Sequence, residues 1–421
     1  MLRNIKIALL DDTQRIWFVR SSSGTYAPHF KSGKLIATDY LSEIFDEANL
    51  KDLPSRDLIR SAIISKEKFS EFRFNKQENK EVKTLNGSGA KLQAAINKFK
   101  EEILLGDLVI TKTSSGGFMF GICSADEAYV SSEPVKLPAS ELEGATYQDK
   151  IKLKYSLRKN VVWGPTIRES EIPDALKNSL ARNTLTEVTH LKEMVYHLLY
   201  PFFTDGKNLY FSNKIRSSEA INSAVIGKLF QNISLVTPLA SAILSNTDIN
   251  PAELIREVET SIFSNIILST SKADFMSPGD TWSTIPLLGS ISPKQLAAVA
   301  LSCLLVTGII NVYEMEAAFA TSALQQIEDN DSSTPASAHK TPGTDSSLFN
   351  DKFKDGDTTT SPELEKIKES INRQREAINE LSDKTYAKVI NKSLQLELLQ
   401  PNTASLENLE FGIKLQKLGS N

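Results

Sequence analysis

Short apolar runs punctuated by glycine and serine dominate the first 165 residues. Residues 5–10 and 16–19 read as strands, and 21–24 (Ser-Ser-Ser-Gly) as a flexible turn. Tyr26 and Phe30 are four apart and share a face if this piece is helical. Gly33 can end that turn before a strand beginning at Leu35. Leu92, Ala95, Ile96, Phe99 and Ile103 recur at helical spacing, so 90–103 is an amphipathic helix. Residues 105–111 turn into a buried strand, 114–117 make a hairpin turn, and 118–123 return. Residues 153–156 and 159–163 supply further strands. This half reads as a small β-barrel with helical additions.

The pattern changes after Ile172-Pro173. Residues 185–203 are apolar with helical spacing, and Asn250-Pro251 starts a further helix. Residues 275–282 read as a loop anchored by Trp282. The run 296–312 is the most hydrophobic in the chain. Ser292-Pro293 suits its start and Gly308 its stop, giving a helix of about fourteen residues, short of the ~20 that span a bilayer. A buried helix and a membrane segment are the two readings of this run. Residues 329–361 have the composition of a disordered linker. Leu364, Ile367, Ile371, Ile378 and Leu381 then mark a tail helix that docks on the chain's own body or on a second copy. The expected fold class is α+β: a barrel domain over 1–185, a mainly α-helical domain over 186–328, the linker, and tail helices over 362–421.

Net charge is −4, but residues 1–190 carry 28 Lys/Arg against 25 Asp/Glu and the remainder 20 against 27. A mildly basic front permits a nucleic-acid partner without requiring one. Two cysteines, Cys123 and Cys303, lie in apolar stretches and give neither a disulfide framework nor a metal pattern. The four histidines are scattered. Asp11 and Asp12 interrupt the first apolar run, so no signal-peptide layout appears and a cytoplasmic location is expected.

No catalytic constellation emerges. The loop 86–89 lacks the Gly-Lys-Ser/Thr of a phosphate loop, and there is no Gly-x-Ser-x-Gly elbow or spaced Cys–His pair. The two-carboxylate strand pattern of Mrr-type nucleases is also missing. No catalytic residue, metal ligand or cofactor is expected. Residues 66–84 interleave Phe69, Phe72 and Phe74 with Lys68, Arg73, Lys76 and Lys80. This stretch is either a stacking surface for nucleic acid or a solvated helix with one buried aromatic edge.

Residues 14 to about 190 resemble the N-terminal domain of bacterial restriction-system proteins, which often precedes an Mrr-like nuclease and is similar to PUA-like and EVE-like modules. The resemblance rests on Trp17-Phe18-Val19-Arg20 followed by Gly24, Tyr26 and Phe30. It continues through Leu35-Ile36-Ala37, Gly106-Asp107-Leu108-Val109 and Gly121-Ile122, then Arg158 with Val161-Val162-Trp163, Arg168 and Ile172-Pro173. The chain has Asp39-Tyr40 where that family usually has Gly-Trp, and its 124–152 connection is longer and more polar.

The resemblance implies a module that inspects nucleic acid, in some relatives a modified base, in a bacterial antiviral defence setting. A base out of its stack needs an aromatic-walled pocket and polar groups for its edge. Trp17, Tyr26, Phe30, Tyr40, Phe118 and Trp163 are the aromatic candidates; Arg20, Arg158 and Arg168 could meet phosphate or a base edge. Trp17 and Trp163 sit on strands and have a core role as their alternative. The expected partners are DNA, including modified DNA, or other nucleic acid, and a second copy or a companion defence protein for the helical half. The competing expectations are a membrane-perturbing effector using 296–312 and a non-catalytic interaction scaffold.

Overall fold

The structure, a computed structural model, describes residues 5–46, 50, 52–77, 79–137, 152–179, 183–261, 269–274, 279–287, 292–313, 361–399, 401–407, 409 and 413–418. It is mixed α/β, with one sheet curled into a half-barrel. The chain divides into two compact units. The front unit comprises residues 12–195 and 401–413; the back unit comprises 1–11, 196–400 and 414–421.

The front sheet runs in the order Leu185–Glu187, Ile16–Val19, Leu108–Lys112, Phe118–Cys123, Leu157–Ile167, Leu35–Thr38, and Tyr129–Val130 also pairs with Leu157–Ile167. Ile16–Val19 and Leu108–Lys112 are parallel; the other pairs are antiparallel. The expected 159–163 strand is the middle of this eleven-residue strand. The expected 153–156 strand is only a bridge between Leu153 and Val135. Register slips between Met119 and Gly121. A Cβ at Gly121 would lie 2.7 Å from Trp163 Cε3, so glycine lets the two strands close over the indole. The helices Arg56–Ser65 and Gly87–Asn97 start on side-chain caps, Ser55 and Asn86, and send Ile59, Ile63, Leu92 and Ile96 into the same core as Trp17 and Phe30.

Residues 66–84 are not a helix. A short 3-10 turn buries Phe69, and Ser70–Asn75 pairs antiparallel with Lys80–Leu85 as a separate two-stranded ribbon. Alternation along the strand, rather than helical spacing, then places Phe72 and Phe74 on one face.

The back unit corrects the mainly α-helical expectation for 186–328. Its sheet runs Thr270–Asp274, Gly279–Pro286, Asn208–Ile215, Phe202–Thr204, Ile5–Leu9, Leu415–Leu418, and Leu396–Leu398 pairs with Asn208–Ile215. Within 185–203 the helix is confined to Lys192–Leu199, flanked by the strands Leu185–Glu187 and Phe202–Thr204. Trp282 belongs to the strand Gly279–Pro286, not to a loop; residues 275–278 lie outside the described residues.

The helix Pro293–Val306 has the expected fourteen residues, and the Ser292 hydroxyl accepts from the Gln295 amide. Every residue from Leu296 to Val306 is buried, so this run fills a core with the helix Val236–Ser245. Among the described residues no helix is long and apolar enough to cross a membrane. The tail helices Ser361–Arg373 and Arg375–Lys384 bury Ile367, Ile371, Ile378 and Leu381 in that same core. The chain's own body is therefore what the tail docks on. Residues 404–407 are a helical turn and Leu415–Leu418 a strand, so the expected tail helices over 362–421 end in a strand. The expected linker lies outside the described residues except for Ser361, which opens the helix.

Candidate nucleic-acid interface

The first strand of the front unit ends in an unusual turn. Ser22 and Ser23 both adopt left-handed backbone, with φ of 53° and 56°, and Gly24 follows at φ 94°. The turn closes through Thr25 N–H to the Ser22 carbonyl and Tyr26 N–H to the Ser21 carbonyl. The buried Ser21 hydroxyl donates to the Lys112 carbonyl at 2.6 Å, tying the turn to the end of the neighbouring strand. Gly24 is required there twice over: by its φ, and because a Cβ would lie 2.3 Å from the Ser114 nitrogen.

Beside this turn lies a cleft of about 290 Å³. Phe18 and Phe118 form its apolar floor, with ring centroids 6.5 Å apart. Ser21, Ser23 and Gly24 line one side, and Arg20, Lys112 and Lys177 supply three positive charges. Lys112 Nζ lies 3.2 Å from a Glu169 carboxylate oxygen and 5.9 Å from the Phe118 ring centroid. Lys177 Nζ lies 3.1 Å from Asp174 one helical turn away. Arg20 is exposed and its guanidinium has no partner among the described residues. The two ion pairs are solvent-exposed, so each is worth at most about 1 kcal/mol and can be exchanged for another anion. Three cations against Glu169 and Asp174, over small hydroxyls and an apolar floor, suit a phosphate-sized anion carried on a larger ligand.

On the other side of the turn, Ser22 hydrogen-bonds Tyr155, whose hydroxyl burial pushes up to about 12, assisted by Asp39 and Tyr26. Tyr155 meets Tyr26 edge-on at 4.9 Å, and Tyr26 meets the buried His29 edge-on at 5.6 Å. Tyr40 is half-buried and hydrogen-bonded to Thr184; burial raises its hydroxyl.

The cleft brings together only Arg20 and Phe118 of the residues the sequence singled out. Trp17 is fully buried and its indole donates to Asp107 Oδ2 at 2.8 Å. Phe30 is fully buried, and its carbonyl accepts from the Trp163 indole at 2.9 Å. Trp17, Phe30 and Trp163 therefore present no face to a base in this structure; they are core. Arg158 is buried as well. Its Nε donates to the Tyr155 carbonyl and its Nη2 to the Glu133 carbonyl, so it pins backbone rather than a ligand. Arg168 is exposed, one residue before Glu169. Tyr26 and Tyr40 flank the turn, each half-buried.

Sequence reasoning missed Lys112, Lys177 and Glu169. Lys112 closes the 108–112 strand, Glu169 lies in a 3-10 turn and Lys177 on the helix Asp174–Ser179, and only the fold draws them together. Among the described residues no group of His, Cys, Asp and Glu is placed to hold a metal ion. No family model matches the chain, and neither a curated protein nor a solved structure matches it.

Proposed function

We propose that the front unit recognises nucleic acid and that the cleft beside Ser21–Gly24 holds one of its backbone phosphates. The observation that carries this reading is the convergence of Arg20, Lys112 and Lys177 on one concave site, with the Arg20 guanidinium left without a carboxylate among the described residues. The resemblance of residues 14–190 to PUA-like modules of restriction-system proteins supports it. In a bacterial defence setting, which that resemblance implies, phosphate contact would be the sensing step and the back unit the part that assembles or signals. The cleft lacks an exposed aromatic wall, so preference for a modified base would have to come from elsewhere on the front unit.

The test is fluorescence-anisotropy binding of the full chain to single- and double-stranded DNA, with and without modified cytosines, across a salt series. Arg20→Ala and Lys112→Ala should each weaken binding to every sequence alike and reduce the salt slope by about one. Both cations are exposed or surface-paired, so neither substitution removes a core contact. Wild-type binding by both variants would overturn the assignment of the cleft, and absence of binding by the wild type would overturn the function.

A further inference from the structure

The ribbon formed by Ser70–Asn75 and Lys80–Leu85 carries a second surface that the cleft does not use. Phe72 and Phe74 are 69% and 60% exposed, an uncommon state for two phenylalanines two residues apart. They lie on one face of their strand, about 7 Å apart along it. In the antiparallel register Phe72 faces Lys83 and Phe74 faces Glu81, so one cation and one anion share the aromatic face, and Lys83 Nζ lies 3.5 Å from the Ser65 carbonyl. Lys76, at the ribbon's tip, is exposed and has no partner among the described residues. Over residues 66–83 the chain holds six Lys/Arg against four Glu. The strand below is anchored: Phe69 is buried under the adjoining turn, and Asn86 ties the ribbon's end to the next helix through its cap on the Gly89 amide. The two exposed rings are thus presented by a held element.

We infer that this ribbon is a stacking platform for a single-stranded segment of nucleic acid, one base on Phe72 and the next on Phe74, with Lys83 and Lys76 meeting the phosphates between and beyond. Two aromatic faces at i and i+2 on a strand match the way sheet surfaces hold successive unstacked bases. Charge selects this occupant: six Lys/Arg against four Glu over the segment, with Lys76 exposed at the tip, favour a polyanion with exposed π-faces over an apolar protein helix. In a duplex the faces of the bases are covered by their neighbours, so the platform discriminates single strands. The inference rests on the nucleic-acid reading above but uses different residues, so the two fail separately.

The test compares four full-length proteins (wild type, Phe72→Ala/Phe74→Ala, Phe72→Tyr/Phe74→Tyr and Arg20→Ala/Lys112→Ala) for binding to a labelled oligothymidylate, its RNA counterpart and a duplex. A sedimentation arm uses anionic phosphatidylserine vesicles. The alanine pair should bind single strands about 25-fold more weakly than wild type, at roughly fivefold or more per lost stack, with duplex binding unchanged. The tyrosine pair, which keeps both rings, should restore it. Both phenylalanines are largely exposed, so the alanine pair removes no core contact. Wild-type single-strand affinity in the alanine pair overturns the inference, and vesicle binding lost in that pair alone would assign the face to a lipid surface instead. Equal weakening on single strand and duplex also overturns it. Failure of the cleft reading shows separately, as unchanged binding by Arg20→Ala/Lys112→Ala.

Discussion

Trp17 and Asp107 hold each other in the floor of the front unit: the indole Nε1–H donates to Asp107 Oδ2 at 2.8 Å. The same oxygen accepts from the Leu104 amide at 2.9 Å, and Oδ1 accepts from the Arg15 amide at 3.0 Å. The Arg15 guanidinium lies 4.7 Å over the Trp17 ring while gripping both oxygens of Glu187. One carboxylate thus joins the loop at 104–107, the start of the 16–19 strand and the most buried tryptophan. This pair explains why Trp17 is a structural residue.

Trp17→Phe keeps most of the ring and removes the donor. Asp107 then loses one of three hydrogen bonds, and the front unit should lose about 1–3 kcal/mol of stability in urea unfolding. Burial, its largest influence, already raises the Asp107 carboxyl above its usual range, and the Trp17 hydrogen bond opposes that rise. A folded value above the unfolded one means the native state holds the proton longer, so this group's contribution to stability falls as pH rises through that window. In Trp17→Phe the fall should extend to higher pH, read as a shifted pH–stability profile.

His197 in the back unit should act in the opposite sense. Its ring stacks on Trp282 at 4.7 Å with planes 1° apart, and Nδ1 lies 2.8 Å from the Ser212 hydroxyl. Burial, with a smaller effect from Lys272, lowers its value from 6.5 to about 3. Between these two values the unfolded chain binds the extra proton and the fold does not. Stability of the back unit should therefore rise with pH from about 3 to 6.5, with this histidine supplying at most about 1.4 kcal/mol per pH unit. Thermal unfolding monitored from pH 7 to acid should show a shallower loss in His197→Gln than in wild type.

Gly24→Ala should damage the cleft without touching its charges. The added Cβ would lie 2.3 Å from backbone atoms of Thr113 and Ser114 at a φ of 94°, where alanine is strained. A destabilisation of about 1–3 kcal/mol is expected, and DNA binding should weaken even where the variant is fully folded by circular dichroism.

Glu169→Gln should strengthen binding. Glu169 occupies Lys112 at 3.2 Å and is, among the described residues, the only acidic one lining the cleft. Neutralising it leaves Lys112 available to phosphate and removes a repulsion, worth about 1 kcal/mol or roughly fivefold in affinity. Anisotropy titration at fixed salt reads this directly. Unchanged or weaker binding would argue against phosphate in this cleft.

Local pattern determined much of the fold. The turn at 114–117 between two apolar runs appears as a hairpin, because glycine at the turn and continuous apolar flanks leave little else for the segment to do. Ser292-Pro293 opens a fourteen-residue helix, since the hydroxyl cap and fixed proline φ act within one turn. Asn250-Pro251 does the same for Pro251–Ser261. These features rest on interactions only a few residues apart, which is why sequence alone is enough for them.

What only the tertiary structure decided are the features that depend on distant partners. The strand Ile5–Leu9 lies between Phe202–Thr204 and Leu415–Leu418, so chain ends some four hundred residues apart share one sheet. No local periodicity carries that pairing, and the short strands of the back unit were hidden in runs that also fit helices. The same holds for the site. Trp17, Phe30, Trp163, Phe72 and Phe74 are alike as residues, yet the first three are core and the last two face solvent. Burial is a property of what packs opposite a side chain. Likewise Arg20, Lys112 and Lys177 become one positive cleft only because strand ends and a helix, separated in sequence, converge there.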